Sequence, residues 1–133
     1  MSVLDEVYIF SSAGVPIAMF SKNNTKSLDE NMLGCVISSI ETFCHQMSGR
    51  RIKSFNVGDY KFTCEPSMEE SIILVCKSSR EIKDKQIKKI CKVLSKIFEE
   101  MFEIEDLEKW NGDTHYFSKF RTKLDLYFRM GDL

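Results

Sequence analysis

The stretch from Ser71 to Lys77 reads SIILVCK, and its middle five residues, Ile72 to Cys76, are apolar without a break. The run is the longest of its kind in the chain and far too short to span a bilayer. A strand that is apolar at every position offers no face to water, so it belongs at the centre of a sheet covered on both sides. The rest of the chain must therefore supply neighbouring strands and helices for both faces.

Those neighbours are legible. Val3–Ser11 and Pro16–Ser21 read as paired strands, with Ser11-Ser12-Ala13-Gly14 as the place of reversal and Gly14 able to take positive φ. Ile52–Val57 is a third strand, followed by the tight turn Gly58-Asp59. Tyr60, Phe62 and Cys64 then alternate with Lys61, Thr63 and Glu65, which predicts a half-exposed fourth strand. Pro66–Glu70 reads as a loop leading into the apolar central strand.

Three helices are expected. Ser27-x-x-Glu30 matches a capping box, and the helix it opens carries Leu28, Met32, Leu33, Val36, Ile37, Ile40, Phe43, Cys44 and Met47 at helical spacing until Gly49 stops it. A second helix is sharply two-sided. Ile87, Ile90, Cys91, Leu94, Ile97, Phe98, Met101 and Phe102 share one face, and Lys85, Lys88, Lys89, Lys92, Lys96, Glu99, Glu100 and Glu103 the other. Asn111-Gly112-Asp113 breaks the chain before a last helix striped by Tyr116, Phe117, Phe120, Leu124, Tyr127 and Phe128. The order is β-β-α-β-β-β-α-α. This predicts one α+β domain over residues 1–133: a five-stranded, mostly antiparallel sheet with one helix on one face and two on the other.

A search for chemistry is unrewarding. The formal net charge of −1 advertises neither nucleic acid nor an anionic surface. Asp5 and Glu6 interrupt the place of a signal core, so a cytoplasmic protein is expected. The five cysteines Cys35, Cys44, Cys64, Cys76 and Cys91 contain no CxxC pair and sit in apolar runs, as small buried hydrophobes do. His45 and His115 have no ligand partner at a recognised spacing, so no metal, cofactor or catalytic residue is assigned. The six glycines are scattered singly, which excludes a phosphate-cradling loop. The lysine row of the second helix continues into glutamates and reads as a solvated face.

One face is unusual. Beyond its core stripe, the first helix presents Asn31, Gly34, Cys35, Ser38, Thr42 and His45, and no charged residue occurs from Asn31 through Ile40. The spacing of Asn31, Cys35, Ser38, Thr42 and His45, in steps of four and three, is that of a seam between helices. Small neutral side chains there predict a partner surface, continued by Ile52 and Ser54 on the third strand.

The chain resembles a longin domain of the longin and roadblock superfamily. YIFSSAGVPIAMFSKN, from Tyr8, is similar to the opening hairpin of those domains, and NVGDYKFTC, from Asn56, to their β3–β4 turn. The likeness is greatest to longin subunits of Rab-activating exchange complexes and spans about Val3 to Phe128. It implies a non-enzymatic interaction platform, a homodimer or heterodimer that pairs with another longin or roadblock subunit. Its further partners would be a small Ras-like GTPase or a membrane-trafficking complex. No transmembrane segment or nucleic acid is implied, and peripheral membrane association is compatible with the pattern. The contrasting expectation is a small-ligand sensor with a profilin-like or PAS-like sheet, against which stands the scarcity of polar groups at predicted core positions.

Overall fold

A computed structural model describes residues 4–11, 16–21, 35, 38–39, 53–110 and 114–130. Five strands, β1 (Leu4–Ser11), β2 (Pro16–Ser21), β3 (Ser54–Val57), β4 (Tyr60–Ser67) and β5 (Ile72–Ser79), form one antiparallel sheet in the order β2-β1-β5-β4-β3. The SIILVCK strand is indeed central, and all of Ile72 to Ser78 is buried. Between β2 and β3, Cys35, Ser38 and Ser39 are helical, as expected, while the rest of the predicted first helix and Gly14 lie outside the described residues.

After β5 come α1 (Asp84–Met101), α2 (Ile104–Glu108), a 3-10 turn (Thr114–Phe117) and α3 (Ser118–Met130). The short α2 is absent from the sequence reading. Phe102 leaves α1 in extended conformation, and Glu103 and Asp106 restart the helix with a capping box, in which Glu103 N–H donates to Asp106 Oδ2 at 2.8 Å. The last helix also starts later than its stripe suggests. Tyr116 and Phe117 belong to the 3-10 turn, whose tighter winding exposes Tyr116 and buries Phe117.

Alternation along the strands separates two cores. On one face Val7, Ile9, Phe20, Leu74 and Cys76 meet Ile87, Cys91, Leu94 and Phe98 of α1 and Phe120 and Leu124 of α3. Phe98 organises this layer, edge-on to Phe120 at 5.1 Å and stacked with Phe117 at 5.9 Å. On the other face Tyr8, Phe10, Phe62, Cys64, Ile73 and Val75 form a second buried cluster.

Two expectations about β4 are corrected. The strand runs on through Pro66 to Ser67, because Pro66 and Ser67 still pair with Ile73 and Ile72. Lys61 and Thr63 are buried rather than solvent-facing, since α1 packs across that face of the strand. Lys61 keeps its charge satisfied by reaching the start of α1, where Nζ donates to the Ile82 carbonyl at 2.8 Å and pairs with Asp84. The hydrogen bond from Lys61 and its charge hold the Asp84 carboxyl below its ordinary value.

The second face also holds charge that the sequence reading did not anticipate. Glu6 and Lys77 are both buried, with Nζ 3.9 Å from Oε2, and the Tyr8 hydroxyl donates to the same carboxylate. Lys77 Nζ also lies 4.1 Å from the centre of the Tyr60 ring. These groups face one another across neighbouring strands, so they satisfy each other inside the sheet.

Candidate partner-binding edge

The edge begins with a turn. Val57 and Tyr60 flank Gly58-Asp59, and Gly58 has φ +59°, a conformation that side-chain-bearing residues adopt at a cost. Arg80 pins the turn from β5, its backbone N–H donating to the Asp59 carbonyl at 3.0 Å and its guanidinium to the Gly58 carbonyl at 3.4 Å. β3 is thereby held as the last strand of the sheet.

Backbone pairing then fixes which way its polar groups point. Cys64 N–H donates to the Lys53 carbonyl at 2.8 Å, so Lys53 and Cys64 form a hydrogen-bonded pair. Antiparallel pairs alternate between bonded and non-bonded. Phe55 opposite Phe62 and Val57 opposite Tyr60 are therefore the bonded pairs, and the N–H and C=O groups of Ser54 and Asn56 face the open side. No described strand pairs with that side.

The side chains repeat the message. Ser54 and Asn56 are exposed, Val57 is 57% exposed and Tyr60 43%, while Phe55 is half-buried and stacks on Phe62 with ring centres 5.1 Å apart. An open strand edge beside exposed apolar side chains is a surface that another chain can extend or cover. Such an arrangement offers hydrogen bonds and apolar area. Among the described residues no group of three His, Cys, Asp or Glu side chains is placed to hold a metal ion.

Of the residues singled out in the sequence, Ser54 lies on this edge, Cys35 is exposed and helical, and Ser38 is helical and half-buried. Asn31, Gly34, Thr42, His45 and Ile52 lie outside the described residues. Asn56 and Tyr60 were missed as edge residues. The signal was the Gly58-Asp59 turn, which places them at the tip of a hairpin whose outer strand has only four residues. The lysine row is exposed, as its pattern suggests, and the charges of Lys92 and Lys88 act on Glu65. Burial raises the Glu65 carboxyl above its ordinary value, Lys92 opposes this, Glu99 adds to it and Lys88 opposes it.

A five-stranded antiparallel sheet flanked by helices is also found in solved structures of other proteins. The gliding protein MglB of Thermus thermophilus shares it with a TM-score of 0.56 at 11% identity, over 67% of this chain and 70% of that one. Myxococcus xanthus MglB gives 0.51 at 15% identity, over 73% and 85%. A chain of the mammalian SRP receptor gives 0.54 at 10% identity over the whole of both chains. At these identities the likeness concerns the fold. No curated protein sequence matches the chain. The family model of the first longin domain of FUZ, MON1 and HPS1 matches residues 5–122, and the chain belongs to this longin family. Domains of this kind are typically regulatory and non-enzymatic. No helix among the described residues is long and apolar enough to cross a membrane.

Proposed function

We propose that this longin domain is a cytoplasmic, non-enzymatic interaction platform that pairs with a second longin or roadblock-type subunit, a copy of itself or a different chain. The pair would engage a small Ras-like GTPase or a membrane-trafficking complex. The observation that carries the reading is the outer edge of β3, where Ser54 and Asn56 aim backbone donors and acceptors away from the sheet beside exposed Val57 and Tyr60. Continuing the sheet into a partner satisfies those groups and covers that apolar area. The neutral helical positions Asn31, Gly34, Cys35, Ser38, Thr42 and His45, with Ile52, are assigned to the same surface by their sequence pattern. A stable pairing of this kind buries on the order of 1,200–2,000 Å².

Asn56→Pro removes an outward N–H without breaking a bond to β4, and Cys35→Arg puts a bulky charge at an exposed helical position. Light scattering and capture of longin, roadblock and GTPase partners from the native host compare these with the Lys96→Glu control on α1. Loss of dimer mass or of partner capture in the first two variants, with unchanged thermal melts, is the expected result. Mass and capture unaffected by both substitutions would refute the reading.

A further inference from the structure

A separate feature lies at the opposite end of the sheet from the β3 turn. There the end of β1 and the starts of β2 and β5 leave a half-open cleft of about 200 Å³ against α2. Ile17 and Ile72, both buried, form its apolar floor, and half-buried Ile104, Leu107 and Trp110 form its wall. An enclosed apolar cavity of about 150 Å³ admits a benzene-sized group, so this cleft has room for one large apolar side chain.

Its rim is acidic. Glu108 lines the cleft, and residues 99–110 contain Glu99, Glu100, Glu103, Glu105, Asp106 and Glu108 against one cation, Lys109. Part of this charge has internal work: Glu99 binds the β4–β5 turn, and Glu103 and Asp106 form the capping box. Glu100, Glu105 and Glu108 are exposed and play no part in those two arrangements. Ser71 lines the cleft from the β5 side, preceded by exposed Glu69 and Glu70. The last turn of α1 has no basic residue, so its carboxylates stand at the negative end of the helix dipole. A cation brought from outside would relieve that unfavourable placement.

We infer that this cleft is a docking site for a basic linear peptide segment of a partner protein, which inserts one large apolar side chain between Ile72 and Trp110 and sets flanking Lys or Arg residues against Glu105, Glu108 and Glu100. The occupant follows from charge complementarity and from the size of the cleft, and it is independent of the β3 edge. Binding there leaves β3 open, so one chain can hold a pairing partner and a peptide at opposite ends of its sheet.

Trp110 is the only tryptophan, which makes its emission a direct reporter of the cleft. The intact chain is titrated at low salt with a capped peptide carrying one leucine flanked on each side by two lysines. Saturable change in Trp110 emission is expected, weakened about tenfold or more by Glu105→Lys with Glu108→Lys, since rim charges act through complementarity. Replacing the peptide leucine by serine should abolish the change. Leu107→Ala should weaken binding while far-UV circular dichroism confirms an intact fold. Equal binding of the serine peptide would mean a diffuse acidic surface, and equal binding of a peptide with glutamates for lysines would mean an unselective apolar cleft. Either result overturns the inference, as does light scattering showing that Leu107→Ala dissociates a dimer, because the occupant is then a second copy.

Discussion

Glu99 stands on the exposed flank of α1, yet its carboxylate holds the end of β4. Its Oε1 accepts from Ser67 Oγ and from Met68 N–H, both at 3.1 Å, and Ser95 Oγ, one turn earlier, donates to Ser67 Oγ at 2.7 Å. The turn it grips is unusual: Met68, Glu69 and Glu70 have φ of 54°, 55° and 70°, with no glycine among them. Left-handed backbone costs an L-residue about 1–2 kcal/mol, so the turn depends on outside contacts to persist. Glu99→Ala removes both acceptor contacts and strands the amide of buried Met68. Hydrogen bonds to charged groups contribute about 1.5–3 kcal/mol when sheltered, and with one side of this carboxylate in water about 2 kcal/mol for the pair is the expected loss. With a urea slope of about 2 kcal/mol per molar, the unfolding midpoint should fall by about 1 M. Glu100→Ala, one residue along and outside the network, should change stability by less than about 0.5 kcal/mol. Equal and small effects in both variants would show that the turn holds its left-handed form unaided, and the argument would be wrong.

The thiols should divide by burial. Cys35 is exposed and should react quickly with a disulfide reagent in the native protein, whereas buried Cys64, Cys76 and Cys91 should react only on unfolding. Rapid native labelling at Cys76 would contradict its surroundings, where a hydrogen bond with Cys91 and burial push the thiol well above its ordinary value. Glu65 should show a pH signature. Because its folded pKa is raised, the native state binds this proton more readily than the unfolded state, and the associated stability is lost as pH rises through the folded value. Glu65→Gln should therefore raise the thermal midpoint at neutral pH and leave it unchanged near about pH 3; a lowered midpoint at neutral pH would mean that Lys92 outweighs burial.

Much of this architecture can be read from local pattern. An unbroken apolar run had to be central, the two-residue turn Gly58-Asp59 had to make a hairpin, and the two-sided stretch from Asp84 to Met101 had to lie on a sheet, because burial follows periodicity. The longin resemblance rested on the same turn and strand signatures. What depended on tertiary structure was the fate of polar groups. Lys61 looked solvent-facing by alternation, but α1 crosses its strand and Asp84 waits within reach. Glu6 and Lys77 are 71 positions apart and meet only because β1 and β5 pair in that register. Pro66 looked like a breaker, yet β5 holds it in the strand, and three left-handed residues follow without a glycine to announce them. The open side of β3 was likewise decided by strand order, since an edge is defined by which neighbour is missing and no single strand carries that information. Local sequence sets each segment's conformation and its apolar side; only the packed sheet determines which polar atoms find partners within the chain and which are left for another molecule.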